Sequence, residues 1–383
     1  MLVAYDVAPL KLPRTGVGHY AATLLDHLIA LDPDLQFRFY SLTAVPDSRM
    51  NLPQAQTTET SNGEVSMAQR LVGRLPRGLR RTALTAWTMA GRPAAEKFVG
   101  SPDVIHGTNF WIPPISRRYG VVTIHDLTFW LYPEFCTPAV RRYRIMMPKI
   151  LERCALAITP SETVRGELSS ELGFPESRIV VTPEGVRRAF VTAKPDPQLA
   201  ARLGINRRFV LSAGTQEPRK NLDRLIESFR LLTDLDLQLV IVGPGGWGSI
   251  DLPAVARKHG VEESVIFSGY LDDVRLGSLM AGATAFAYPS LYEGFGLPPL
   301  EAMAAGVPVV AGRAGALPET LGEAPFWCDP EDVESIAGAI REAASDDEGR
   351  SAAIERGRTQ VTRYSWEETA RLTHAAYQAI ADS

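Results

Sequence analysis

Residues 285–310 read AFAYPSLYEGFGLPPLEAMAAGVPVV. An apolar run ending at Tyr288 breaks at Pro289 into a loop holding Glu293, Gly294 and Gly296. A helix is expected over 298–305, carrying Glu301, and Val307–Val310 opens a second apolar run. Strand, loop, helix, strand is the βαβ unit, whose two strands lie parallel. In open sheets of this kind ligands gather beyond the carboxyl ends of the strands, which is where this loop falls. Turn chemistry alone would account for the glycines. The two carboxylates flanking them ask for more: they are acceptors, suited to hydroxyls, next to backbone that can approach a phosphate. A sugar nucleotide demands both.

The same alternation runs along the whole chain. In the second half the expected strands are RFVLSAG (208–214), LQLVIVG (237–243), SVIFSGY (264–270), ATAFAYP (283–289) and VPVVAG (307–312). Helices are expected over 221–232, 251–259, 272–281 and 298–305. In the first half MLVAY, QFRFYSL, DVIHG (103–107), GVVTIHD (120–126) and ALAITPS (155–161) read as strands, with an amphipathic helix HYAATLLDHLIAL after the first. Two doubly wound α/β domains are therefore expected, with the boundary in the proline-bearing stretch 191–205. We place the first domain at 1–192 and the second at 193–365, with a final helix over 366–383 capped at Ser365, three residues before Glu368.

A length of 383 residues suits two domains, and 45% hydrophobic with 22% charged residues marks an ordinary globular chain. Cys136, Cys154 and Cys328 are too few and too scattered for a disulfide framework or a zinc site, which fits a reducing compartment. The opening MLVAYDVAPL lacks a basic start and a cleavage site, so no secretory signal is expected. No apolar stretch reaches the ~20 residues that span a bilayer. A cytoplasmic chain is expected, peripheral at most on the inner face of the plasma membrane.

The net charge of −4 is unevenly spread: residues 1–190 hold 22 basic and 17 acidic side chains, and 69–150 hold 13 against 4. A basic first half suits an anionic partner, and charge alone does not choose between membrane, phosphorylated lipid and nucleic acid. The segment 70–92, with Arg70, Arg74, Arg77, Arg80 and Arg81 beside Trp87, reads either as a solvated helix pair or as an interfacial contact with anionic lipid. Pro76 and Gly78 are expected to interrupt it.

Strand ends hold the remaining candidates. Arg219 and Lys220 follow the first strand of the second domain, with Asn221 as expected N-cap, and two cations there make an anion site. A charged turn is the plainer alternative. Gly269 and Tyr270 could frame a base, and Tyr270 could equally be a rim aromatic. The Gly-rich turn 243–248 is common after strands and says little. Asp272-Asp273 opens a helix as a cap would, and no Asp-x-Asp pair stands at a strand end, so no metal is expected. The glycines after Tyr5 lack the spacing of a dinucleotide fingerprint.

EGFGLPPLEAMAAGVPVV (293–310) resembles the E-x7-E motif of the retaining GT-B glycosyltransferases of family 4, the group 1 glycosyl transferases. GTQEPRKNLDRLIESF is similar to the phosphate segment of that family, and TGVGHYAATLL, TIHDLTFWLYPE, TPSETVRGEL and VTPEGV match in order along nearly the whole chain. The resemblance implies two Rossmann-like domains facing a cleft, acceptor in the first and donor in the second, with the last helix returning to the first. It implies that Glu293 meets the donor sugar, Glu301 the ribose, and Lys220 with Arg219 the diphosphate. Backbone around Gly294, Phe295, Gly296 and Leu297 would add donors, Tyr270 would lie by the base, Gly16 and Gly18 would approach phosphate or acceptor, and His125 would sit by the transferring sugar. The plainer reading of His125 is a strand-end histidine satisfied by Asp126, and His106 is a second such histidine. Many relatives carry an arginine where Thr215 and Gln216 stand, so the diphosphate is held differently here or Arg219 supplies the lost charge. The family implies a retaining transfer with no metal and no cofactor beyond the nucleotide sugar. GDP-mannose is the first choice from the EPRKN segment, and a glycan or lipid-linked acceptor is implied, with no nucleic-acid partner. A sugar-nucleotide hydrolase or epimerase on the same fold is the alternative.

Overall fold

The computed structural model describes residues 1–11, 14–41, 77–248, 250–345 and 347–382. The polar stretch 50–70 and the arginines at 70 and 74 lie outside these. The chain divides into one unit of Met1–Glu184 with Trp366–Ser383 and another of Gly185–Ser365.

The first unit is a six-stranded, all-parallel sheet in the order β2-β1-β3-β4-β5-β6. Its strands are Leu2–Asp6, Gln36–Tyr40, Val104–Gly107, Gly120–Thr123, Cys154–Thr159 and Ile179–Val181, numbered β1 to β6 in chain order. Separate apolar clusters cover its two faces, one built on Ile105, Val122, Ile150 and Leu168, the other on Tyr5, Leu24, Leu28 and Tyr377. The second cluster draws Trp366, Ala370, Tyr377 and Ile380 from the last helix, Trp366–Ala381, which lies along the first helix, Gly16–Leu31.

The second unit repeats the plan with β7 (Arg208–Ala213), β8 (Leu237–Val242), β9 (Val265–Gly269), β10 (Ala285–Tyr288), β11 (Val309–Gly312) and β12 (Phe326–Cys328), ordered β12-β11-β10-β7-β8-β9. Every residue of β8, LQLVIV, is buried, as expected for a strand covered on both faces. Two apolar clusters again line the two faces. The strand order reverses between β7 and β10, so the loops after these two strands flank the switch point where doubly wound sheets bind ligands.

Several sequence boundaries shift. The division falls at Glu184–Gly185 rather than 192, because Phe190 is fully buried in the second unit's core with Val186 and Ala189 against it. β4 stops at Thr123, leaving His125 and Asp126 in the loop. The helix Arg77–Ala90 includes Gly78 in its first turn, where glycine does not end a helix, and packs on the helix Tyr143–Arg153. The helix expected over 221–232 is α-helical only for Leu222–Ser228, then tightens to 3-10 turns. The strands β6 and β12, three residues each, were not anticipated. The three cysteines are buried and none is in a disulfide. Among the described residues no helix is long and apolar enough to cross a membrane.

Candidate active site

The loop after β7 folds as a 3-10 turn, Pro218–Lys220, and delivers Lys220 to the switch point. The Lys220 ammonium donates to Glu293 Oε1 at 2.6 Å and to the Tyr288 hydroxyl, and lies 4.4 Å from the Tyr288 ring centroid. Arg219 contacts Glu293 Oε2 at 2.5 Å, Glu217 at 2.7 Å and the Tyr292 carbonyl at 3.2 Å. Both Glu293 oxygens are thus bound by cations, and Glu217 and Glu293 balance Lys220 and Arg219 charge for charge. Burial pushes the Glu293 carboxyl up, but Arg219 and Lys220 outweigh it and hold it at about 2. Burial, then the neighbouring Arg219, lowers the Lys220 pKa against the pull of Glu293.

Asn221 does not cap its helix. It sits at φ +57 with no side-chain cap bond, and its amide instead donates to Pro289 O at 3.0 Å and Pro330 O at 2.6 Å. With Leu291 N donating to Arg219 O at 2.8 Å, this ties the β7 loop to the β10 loop. The positions of Lys220 and Glu293 are therefore set jointly.

Glu293 is also held from behind. Ala316 N donates to its carbonyl at 2.9 Å, and Gly315, at φ +53, passes so close that an added Cβ would lie 2.4 Å from Glu293 O. Gly296, at φ +106, precedes the helix Leu297–Ala304, and a Cβ there would meet Leu317 at 2.5 Å. Pro298 and Pro299 follow Leu297, so the second and third residues of this helix have no N–H. Any amide cradle here must come from the loop 294–296 and from Leu297, the first residue of the helix. The Phe295 ring is buried and meets Tyr364 edge-on at 5.4 Å, and Leu297 packs on the same core, so their side chains anchor the loop.

Glu301 is buried and paired with a residue that sequence reasoning missed. Arg187 reaches it through Nε to Oε1 at 2.6 Å and Nη2 to Oε2 at 2.9 Å, and reaches Asp273 through Nη1 at 2.6 Å. Asp272 caps its helix through Arg275 N at 2.9 Å, as expected, while Asp273 is committed to Arg187. Tyr270 is exposed at the end of β9.

In the first unit His125 Nε2 lies 2.9 Å from Thr108 O. A carbonyl only accepts, so Nε2 carries a proton. Nδ1 faces Glu184 at 3.6 Å, and Tyr20 meets the ring edge-on at 4.7 Å. Asp126 is not its partner: that carboxylate accepts from Thr128 N. His106 is a core residue, bonded on both nitrogens by Tyr377 and Thr123, and burial pushes its pKa down to about 3. Gly18 is required by packing, since a Cβ would lie 2.5 Å from Pro9 O, whereas Gly16 opens the helix with nothing within 4 Å. Arg187, Glu184, Glu217 and Gly315 carried no separate signal in the sequence, although Glu184 lies inside the VTPEGV segment and Arg187 directly follows it.

Comparison with known proteins agrees with this geometry. Residues 197–360 match the family described as Glycosyl transferases group 1, and residues 14–190 that described as Glycosyltransferase Family 4. The chain is 31% identical over 391 residues to the O-antigen chain mannosyltransferase B of Escherichia coli, covering 99% of this chain and all of that one. It is 28% identical over 401 residues to the D-inositol 3-phosphate glycosyltransferase of Acidothermus cellulolyticus, covering 96% and 87%. Among solved structures, sucrose-phosphate synthase from Thermosynechococcus elongatus superposes with TM-score 0.76 at 20% identity, and WaaG, a glycosyltransferase involved in lipopolysaccharide biosynthesis, with 0.68 at 18%, each over the full length of both chains. The chain belongs to the family 4, group 1 glycosyltransferases and has their GT-B fold. It is a hexosyltransferase.

Proposed function

We propose that this enzyme moves mannose from GDP-mannose to a glycan or lipid-linked acceptor in cell-surface polysaccharide synthesis, with retention of configuration and without a metal ion. The full-length similarity to an O-antigen mannosyltransferase supports the sugar and the pathway class. We assign the donor to the second unit and the acceptor to the first, on the cytoplasmic side of the membrane. The observation that carries the reading is the Lys220–Glu293 pair at the β7/β10 switch point, a buried cation beside a buried carboxylate.

In the transfer, the bond between the anomeric carbon and the β-phosphate oxygen breaks and its electron pair leaves with the diphosphate. Lys220 stabilises that charge, a role in which preorganised groups act without reorganisation cost. Glu293, kept ionised by the same cations, accepts from donor-sugar hydroxyls, and Glu301 accepts from the ribose. The acceptor hydroxyl attacks from the face the phosphate leaves and passes its proton to a phosphate oxygen, so no enzymic nucleophile is needed. Arg219, already bound to Glu217, Glu293 and Tyr292 O, orients the carboxylate more than it adds free charge. His125 has both ring nitrogens directed at Thr108 and Glu184, so its backbone carbonyl is the group it offers the sugar. We assign Gly16, with open space at its Cα, to close approach by phosphate or acceptor. Gly294 and its neighbours supply amides, and Tyr270 borders the base. The basic helix Arg77–Ala90 with the residues before it is assigned to an anionic lipid surface.

The test is a panel of nucleoside-diphosphate sugars with lipid-linked glycan acceptors, run with and without chelator. Mannose transfer from GDP-mannose with the α-configuration kept supports the reading. Release of free sugar, or of an isomer, independent of acceptor would establish the hydrolase or epimerase alternative instead.

A further inference from the structure

Arg219 and Lys220 are neighbours in sequence, yet the structure uses them differently. Lys220 gives two of its three N–H groups, to Glu293 Oε1 and the Tyr288 hydroxyl, which leaves it a third among the described residues. Arg219 is fastened at both ends of its fork. Nη1 holds Glu293 Oε2 at 2.5 Å and the Tyr292 carbonyl at 3.2 Å, and Nη2 holds Glu217 Oε1 at 2.7 Å. Side-chain exposure is 17% for Arg219, 8% for Glu293 and 7% for Glu217, so salt and water screen these contacts little.

Glu217 is itself fixed. It stands at the head of the 3-10 turn, and Lys220 N donates to its carbonyl at 3.0 Å. Beside it Gln216 N donates to Pro244 O at 3.2 Å, and Gly246 runs so close that an added Cβ would lie 2.2 Å from Gln216 O. The glycine-rich turn after β8 thus backs the β7 loop next to Glu217.

Stability alone is a weak reason for a buried ion pair, since apolar packing often serves as well. The charge count points to a function. Without Glu217, two cations would face one carboxylate, and an arginine beside an anion site can take phosphate in a bidentate grip. A grip equally tight on ground state and transition state adds nothing to kcat, and release of product often limits turnover. Glu217 takes up that second cation inside the protein.

We propose that Glu217 is a positioning residue: it holds Arg219 on Glu293 and away from the donor's diphosphate, leaving Lys220 to meet the leaving group. This role rests on the assignment of Lys220 to the diphosphate. Calorimetry with guanosine diphosphate and uridine diphosphate, taking whichever the wild type binds, tests both. Glu217→Gln keeps the size of the side chain and removes its charge. It is expected to bind the nucleotide more tightly than wild type by roughly tenfold, the scale of one charge-assisted bond, and to turn over more slowly. Adding Arg219→Gln restores the net charge of the cluster, and this double variant is expected to return to within about threefold of wild-type affinity, while turnover stays low because Glu293 has lost its hold on Oε2. A loosened fold would weaken nucleotide binding and not tighten it. If Glu217→Gln is folded and binds no more tightly than wild type, the proposal is wrong. If Glu217→Gln does not fold, the charge-balanced double variant decides, and a loss of roughly tenfold or more there puts Arg219 on the diphosphate and overturns the proposal equally. Failure of the wild type to bind either nucleotide, or binding untouched by Lys220→Met, overturns the diphosphate assignment itself and the proposal with it.

Discussion

His106 in β3 and Tyr377 in the last helix are joined by a 2.6 Å hydrogen bond across 271 residues of sequence. The bond continues through His106 Nε2 to Thr123 Oγ1 at 2.8 Å and on to the Tyr20 hydroxyl at 3.1 Å. All four residues are buried. Tyr377→Phe strands an imidazole nitrogen away from water and is expected to cost about 1–3 kcal/mol of unfolding free energy. Nucleotide binding should be unchanged. Denaturant titration checks the first expectation, and a loss under ~0.5 kcal/mol, the scale of surface substitutions, would show that the network is not a fastening.

Asp6, at the carboxyl end of β1, is buried, and burial raises its pKa from 3.8 to about 7 against the amide hydrogen bond from Ala8. The folded state therefore binds the proton more tightly than the unfolded one. The stability linked to Asp6 is complete below pH 4 and declines as pH rises to about 7, by at most ~4 kcal/mol. Asp6→Asn should match wild type in melting temperature near pH 4 and exceed it at pH 8. Parallel melting curves for the two proteins across this range would contradict the assignment.

Gly315 has no catalytic group of its own, yet its substitution should reach the site. Gly315→Ala places a Cβ against the Glu293 backbone at a positive φ, and is expected to cost about 1 kcal/mol or more of stability. Because Glu293 must shift to relieve the contact, turnover should fall further than the change in melting temperature suggests. Steady-state kinetics on the folded variant checks this.

Lys220→Met removes the cation but leaves Arg219 on Glu293, so the fold should survive. Loss of one preorganised charge at a leaving group costs roughly 10²–10³-fold in kcat, with a smaller effect on KM. A variant with wild-type kcat would remove Lys220 from the mechanism.

Glu293 itself is held at about 2, well below the usual carboxylate range, once the cations outweigh its burial. Its contribution to stability is present above pH 4.5 and is lost as pH falls towards 2. Glu293→Gln should thus be less stable than wild type at pH 7 and converge with it in acid. An acid limb of activity near pH 5 to 6 should belong to another group and persist in any active variant at this position.

Much of this was legible in the chain because burial on both sheet faces writes itself as runs such as LQLVIV, and because the two glutamates stand in a motif-bearing loop. The strands β6 and β12 were not, since three residues are too few to show a period. Asn221 looked like a cap, and only the fold shows its amide spanning to Pro289 and Pro330. Arg187 was invisible for a similar reason. It is one arginine in a turn with another beside it, and its partners lie 86 and 114 residues away. Single long-range pairings leave no local pattern to read.

The last helix supplies Trp366, Ala370, Tyr377 and Ile380 to the first unit's core. On the ribosome these residues emerge only after all of Gly185–Ser365 has been made. Domains usually fold in the order they are synthesised, and here that order is reversed. The second unit, contiguous in sequence, can close while the first still waits with one face of its sheet covered only by the first helix. A nascent chain arrested before residue 366 should therefore expose the rest of that apolar face to chaperones.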